Sequence, residues 1–218
     1  MNLRFSTPVA LFGALLLGIP AVVDAADAQP LYQNDFESTQ PGQVPKDFLV
    51  TSGGFEVKVE GGNKVLELPG APLDTFGLLF GPSQPVGVSA SGRFFGSKQG
   101  RKFPTFGISL NGVGGYRLQV SPAKKAVEFF KGDEPVVSAP FEWVSGAWTR
   151  LKIRVQKSAT GGCVIEGKAW ADGTAEPTAW TIRAEEKGDL SAGRAGIWGS
   201  PYSGTPIQFD DLLLVPAP

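Results

Sequence analysis

The chain has 218 residues, a formal charge of −1, 29 Gly, 18 Pro, one Cys and no His. That much Gly and Pro excludes a helical bundle, because both residues are costly inside helices. A hydrophobic share of 42% and an aromatic share of 11% exclude a disordered chain. Without His there is no Ser-His-Asp or Cys-His site and no imidazole metal ligand. The single Cys163 excludes an internal disulfide, a zinc–thiolate cluster and an iron–sulfur centre. Any catalysis would rest on carboxylates, Lys, Tyr, Ser or Thr. With 20 basic and 21 acidic residues, no overall field steers the chain to nucleic acid, and none is expected as a partner.

Residues 1–28 have the layout of a secretory signal peptide. Arg4 supplies the positive start, Val9 to Val23 is uncharged and mostly apolar, Pro20 interrupts it, and small residues follow. The run is shorter than the ~20 residues a spanning helix needs. Cleavage fits after Ala25 or after Ala28; the second is preferred and leaves residues 29–218 as one domain. No cysteine lies near the cut, which excludes a lipoprotein. The expectation is a secreted or periplasmic bacterial protein with no membrane insertion after cleavage.

The mature chain reads as short strands separated by tight turns. In GFEVKVE, Phe55, Val57 and Val59 alternate with Glu56, Lys58 and Glu60; Gly61-Gly62-Asn63 turns the chain and KVLEL returns. TFGISL, the Gly-rich loop NGVGG and YRLQV form a second hairpin, followed by AVEFF, KGDEP and VVS. WTRLKIRVQ, residues 148–156, is predicted to be the longest strand, with Leu151, Ile153 and Val155 on one face and Arg150, Lys152 and Arg154 on the other. CVIEGKAW follows, then the turn ADGTAEP and TAWTI, then AGIWGS, the loop PYSGTP and IQFDDLLLV. A single helical turn near Ser191 is the one departure from strand, and EEKG is too short for a helix. No linker or repeat divides the chain. About a dozen strands in a two-sheet antiparallel β-sandwich is the expected fold.

Three segments carry a family resemblance: NDFES…PGQVPKDF, GAWTRLKIRV followed by EGKAWADG, and GRAGIWGS…IQFDDLLLV. Together, over residues 31–216, they resemble the concanavalin A-like jelly rolls, which include laminin-G-like domains, lectins and bacterial sugar-active modules. The nearest likeness is to a secreted bacterial branch of planctomycete type. The resemblance implies a polysaccharide or cell-surface glycan as ligand. It also implies a structural Ca²⁺ where the first and last strands meet, with Asp35 or Glu37 joining Asp210. Hydrogen bonding of a turn by Asp210 and Asp211 accounts for the same residues without a metal.

The candidate site residues follow from strand faces and loops. The ExDxxE strand of laminarinase-type glucanases is absent, as is the His of alginate-lyase jelly rolls. If the protein is an enzyme, Glu128 and Glu166, on polar strand faces, are the candidates for a cross-strand carboxylate pair. A binding face is read from Trp170, Trp198, Tyr202, Arg117 and Arg154: rings that stack on sugars and guanidinium forks that suit carboxylates and sulfates. Non-catalytic carbohydrate or cell-surface recognition leads. A glycoside-active enzyme and a structural envelope or matrix domain are the alternatives. No cofactor is required, and oligomeric state is not legible.

Overall fold

In the computed structural model, which describes Met1 and residues 29–71, 74–202 and 204–217, the alternating segments are strands. The predicted signal peptide lies, apart from Met1, outside the described residues. The strands are β1 (Tyr32–Asn34), β2 (Leu49–Ser52), β3 (Glu56–Glu60), β4 (Asn63–Leu68), β5 (Phe76–Gln84), β6 (Val88–Phe95), β7 (Thr105–Leu110) and β8 (Tyr116–Ser121). They continue as β9 (Ala126–Lys131), β10 (Glu134–Pro140), β11 (Thr149–Lys157), β12 (Cys163–Ala171), β13 (Ile182–Glu186), β14 (Gly193–Ser200) and β15 (Ile207–Pro216).

Two antiparallel sheets pack face to face. The first runs β13-β12-β11-β6-β15-β4-β3, with β1 also paired to β15; the second runs β10-β9-β8-β7-β14-β5-β2. Period-two alternation drives this packing. On β11, Leu151, Ile153 and Val155 are fully buried, while Arg150, Lys152 and Arg154 point out. Leu118, Val120, Val127 and Phe129 meet them from the second sheet. Phe94 stacks on Phe106 across the layers at 5.7 Å and stands edge-on to Phe209 at 5.5 Å. A Cβ on Gly167 would lie 2.9 Å from both Leu118 and Phe129, so the sheets approach closely there. Cys163 is a buried free thiol of this core.

The departures from the predicted elements have local causes. β15, with 10 residues, is the longest strand, because a bulge between Asp210 and Leu213 lets one run pair both β4 and β1. EEKG contributes its glutamates to β13, where Ile182 and Ala184 supply the buried face. Residues 172–181 belong to no strand and fold back over the first sheet. The helical turn is Pro122–Lys124, where Pro122 begins it and Lys125 ends it in the left-handed region; there is none at Ser191. β1 stops before Asp35: Asn34 Oδ1 accepts the Phe36 N–H at 2.8 Å, and Phe36 turns inward with φ of 60°. Val59 is exposed at the hairpin end rather than buried with Val57.

Candidate functional site

The sandwich has two outer faces, and they differ in how their charges are answered. On the first sheet the polar side chains pair with one another. Arg93 contacts Asp172 at 3.3 Å, Asp211 at 3.0 Å and the buried Asp210, and lies 4.9 Å from the Trp148 ring centre. Arg150 holds Asp172 at 2.5 Å and Asp211 at 3.3 Å. Arg154 holds Glu166 at 2.5 Å, and Arg183 reaches the same carboxylate at 3.6 Å. Glu176 bridges Lys152 at 2.9 Å and Lys168 at 2.7 Å. The folded-back segment covers part of the face, over β11 and β12: Lys168 donates to the Pro177 carbonyl at 2.6 Å, and the Trp180 ring centre stands 4.6 Å from both Lys168 Nζ and the Arg154 guanidinium.

These pairings shift the ionisations. Burial pushes Asp172 up, but Arg150 and Arg93 outweigh it and hold the carboxyl below its ordinary value. Glu176 is likewise pushed up by burial and brought down further by Lys152 and Lys168. Asp210 lies above its ordinary value: burial dominates over Asn63, the Asp211 N–H and Arg93.

The outer face of the second sheet is built differently. Its register lines up Glu128, Gln119, Gly107, Trp198 and Gly77 in one outward row, and Phe130, Arg117, Ser109, Gly196 and Leu79 in the next. Three glycines and a serine therefore surround Trp198 and leave a trough. The indole leans over Gly77, where a Cβ would lie 2.4 Å from the ring, and its Nε1–H donates to Ser109 Oγ at 3.0 Å. The Arg117 guanidinium lies 4.9 Å from the Phe130 ring centre and 5.6 Å from that of Trp198. Ser109, Arg117, Asp133 and Trp198 line a cleft of about 160 Å³ with backbone from Gly112, Gly115 and Gly132. Burial pushes Arg117 below its ordinary value, opposed by the field of Asp133.

A larger hollow of about 420 Å³ lies beside the β15 bulge, lined by Asn34, Asp35, Ser91, Arg150 and Asp211. Its Arg150 and Asp211 pair with each other.

Of the predicted ligand residues, the structure brings together Arg117 and Trp198. Arg154 and Trp170 belong to the first sheet, on the other side of the sandwich; Arg154 is committed to Glu166, and Trp170 is buried. Tyr202 is exposed on the loop after β14 and does not line the cleft. Glu128 and Glu166 lie on different sheets with their side chains on opposite outer faces, so they form no cross-strand pair. Each has a structural partner: Lys124 reaches Glu128 at 2.9 Å, and Arg154 reaches Glu166. The sequence reading missed Phe130, Ser109 and the glycine floor, whose signal was the Gly-Ser alternation inside TFGISL.

The carboxylates expected to hold Ca²⁺ do not fit that ion. Asp210 is taken by Arg93 and by Asn63 Nδ2 at 2.9 Å, and a guanidinium in that position repels a second cation. Glu37 accepts the Lys64 N–H at 2.7 Å, and Asp35 accepts the Glu37 N–H at 3.2 Å. Among the described residues, no group of three or more acidic or Cys side chains is placed to hold a metal.

No protein-family model and no curated protein matches the chain. Solved structures do. The chain is similar to the carbohydrate-binding module CBM66 from Bacillus subtilis (TM-score 0.55, 13% identity, 78% of this chain and 95% of that one). It is also similar to a Bacillus subtilis protein with a galectin-like fold (TM-score 0.60, 12% identity, 86% and 96%). A third likeness is to the potassium-bound carbohydrate recognition domain of Emp46p (TM-score 0.61, 12% identity, 88% and 99%). At these identities the likeness defines the fold, the two-sheet jelly roll of galectin-like and lectin domains.

Proposed function

We propose that the protein is a secreted or periplasmic, non-catalytic carbohydrate-recognition domain that holds a sugar in the trough of the second sheet. The observation that carries this reading is Trp198 leaning over Gly77, with Gly107 on its other side in register and, beside it, an arginine that has no ion-pair partner among the described residues. A sugar ring has an apolar C–H face that matches an indole and a hydroxyl rim that needs donors and acceptors. Arg117 supplies donors, Asp133 supplies acceptors, and Ser109 supplies both, though its oxygen already accepts from Trp198. The glycines keep the floor low enough for a ring to reach the indole. That similar folds include a carbohydrate-binding module and a carbohydrate recognition domain supports the reading. The signal-peptide layout of residues 1–28 supports export by a bacterium.

A glycan array probed with the purified protein tests this. Reproducible retention is expected, weakened about 30-fold or more by Trp198→Ala, the ~2 kcal/mol scale of a central aromatic anchor. No release of reducing ends is expected from the retained polysaccharide. A blank array with folded protein, or binding indifferent to Trp198→Ala, overturns the proposal.

A further inference from the structure

We infer that the sugar bound in the trough is anionic, and that its carboxylate or sulfate pairs with Arg117. This rests on the carbohydrate reading of the same trough and specifies its ligand class.

The inference comes from comparing the arginines. Arg93, Arg150, Arg154 and Arg183 each have at least one carboxylate within 4.0 Å. Arg194 donates to two backbone carbonyls, those of Gly81 and Asp47. Arg101 is exposed on a loop, where water serves it. Arg117 is different. It is half-buried, its Nε is buried without a hydrogen-bond partner, and no carboxylate among the described residues forms an ion pair with it. Its close neighbours are two aromatic rings.

Partial burial of a cation without a counter-ion is unfavourable, and two ring faces offset only part of that cost. Asp133, the one acidic residue of the cleft lining, is exposed and acts on Arg117 only through space, where solvent screens it. Glu128, in the neighbouring row on β9, is neutralised by Lys124. The cleft therefore presents a half-buried guanidinium for which no hydrogen bond or ion pair is found among the described residues. A planar carboxylate or a sulfate matches that fork with two charge-assisted hydrogen bonds. With Trp198 5.6 Å away, ring stacking and charge pairing fall within one sugar residue.

The test is titration calorimetry with two matched pairs: polygalacturonate against its carboxyl-reduced form, and a sulfated galactan against its desulfated form. At least one anionic member is expected to bind ten-fold or more tightly than its neutral counterpart, with the preference falling as salt rises. Which pair shows the preference identifies carboxylate or sulfate. Arg117→Gln is expected to abolish the preference, and Arg117→Lys to restore part of it. A double change in the basic loop, Arg101→Gln with Lys102→Gln, is expected to keep it. Melting curves verify that each variant is folded, and the salt dependence of the unaltered protein stands if Arg117→Gln is not. Equal binding of charged and neutral partners, or a preference that survives Arg117→Gln, overturns this inference and leaves the carbohydrate reading in place. Absence of binding to any glycan overturns both.

Discussion

Trp198 and Gly77 are direct cross-strand neighbours on β14 and β5, and the indole occupies the space that a side chain at position 77 would fill. The platform of the trough thus depends on a missing side chain as much as on the ring. Gly77→Ala is expected to swing the indole off the sheet, break its bond to Ser109, and cost about 1–3 kcal/mol of stability. Tryptophan emission should shift and glycan binding should fall together. Unchanged emission and binding would mean that the ring has room to spare.

Arg93 is the hub of the opposite face. Removing it as Arg93→Ala takes the guanidinium from Asp210, which is 1% exposed, and leaves Asp172 and Asp211 with Arg150 alone. Leaving a buried charge without its partner typically costs about 3–5 kcal/mol. Urea unfolding is expected to show a loss of that size, against a much smaller one for Arg150→Ala, whose side chain is 36% exposed. Glycan binding at saturating fold should be untouched by both.

Acid should unfold the protein through the same face. The folded-state values of Asp172 and Glu176 lie below their ordinary 3.8 and 4.5. Their contribution to stability is therefore fully present above those values and is lost as pH falls through the lower, folded ones. Asp210, shifted upward, runs the other way and returns part of the loss on protonation. The melting temperature is expected to hold from about pH 7 to 5 and to drop below about pH 4, with a shallower drop in Asp172→Asn. Superimposable acid limbs for the two proteins would show that this aspartate is not responsible.

Calcium is expected to leave the melting curve unchanged, because Arg93 already neutralises the carboxylate at the junction of β6 and β15. A calcium-dependent rise in melting temperature, reversed by EDTA, would place a cation elsewhere in the hollow lined by Asp35 and Asp211.

The strands were legible because alternation is a local property. Leu151, Ile153 and Val155 announce a buried face whatever lies opposite. The site was legible only in part, because alternation says that a side chain points outward but not from which layer, nor what covers it. Arg117 and Arg154 look alike in sequence; β8 puts one over an open trough, and β11 puts the other beneath Trp180. Glu128 and Glu166 fail as a pair for the same reason. The trough floor is made by Gly77, Gly107 and Gly196, three separate strands whose register no single segment discloses.

β1 and β15 are partners in the first sheet, with Tyr32 opposite Leu214. Both ends of the folded domain thus emerge from the layer that turns its back on Trp198. A tag, a resin or a fused module attached at either end joins the chain next to β1 or β15, strands of the other sheet from the one that carries the trough. Immobilised protein should therefore capture its ligand as well as free protein does, and the choice of end should not matter.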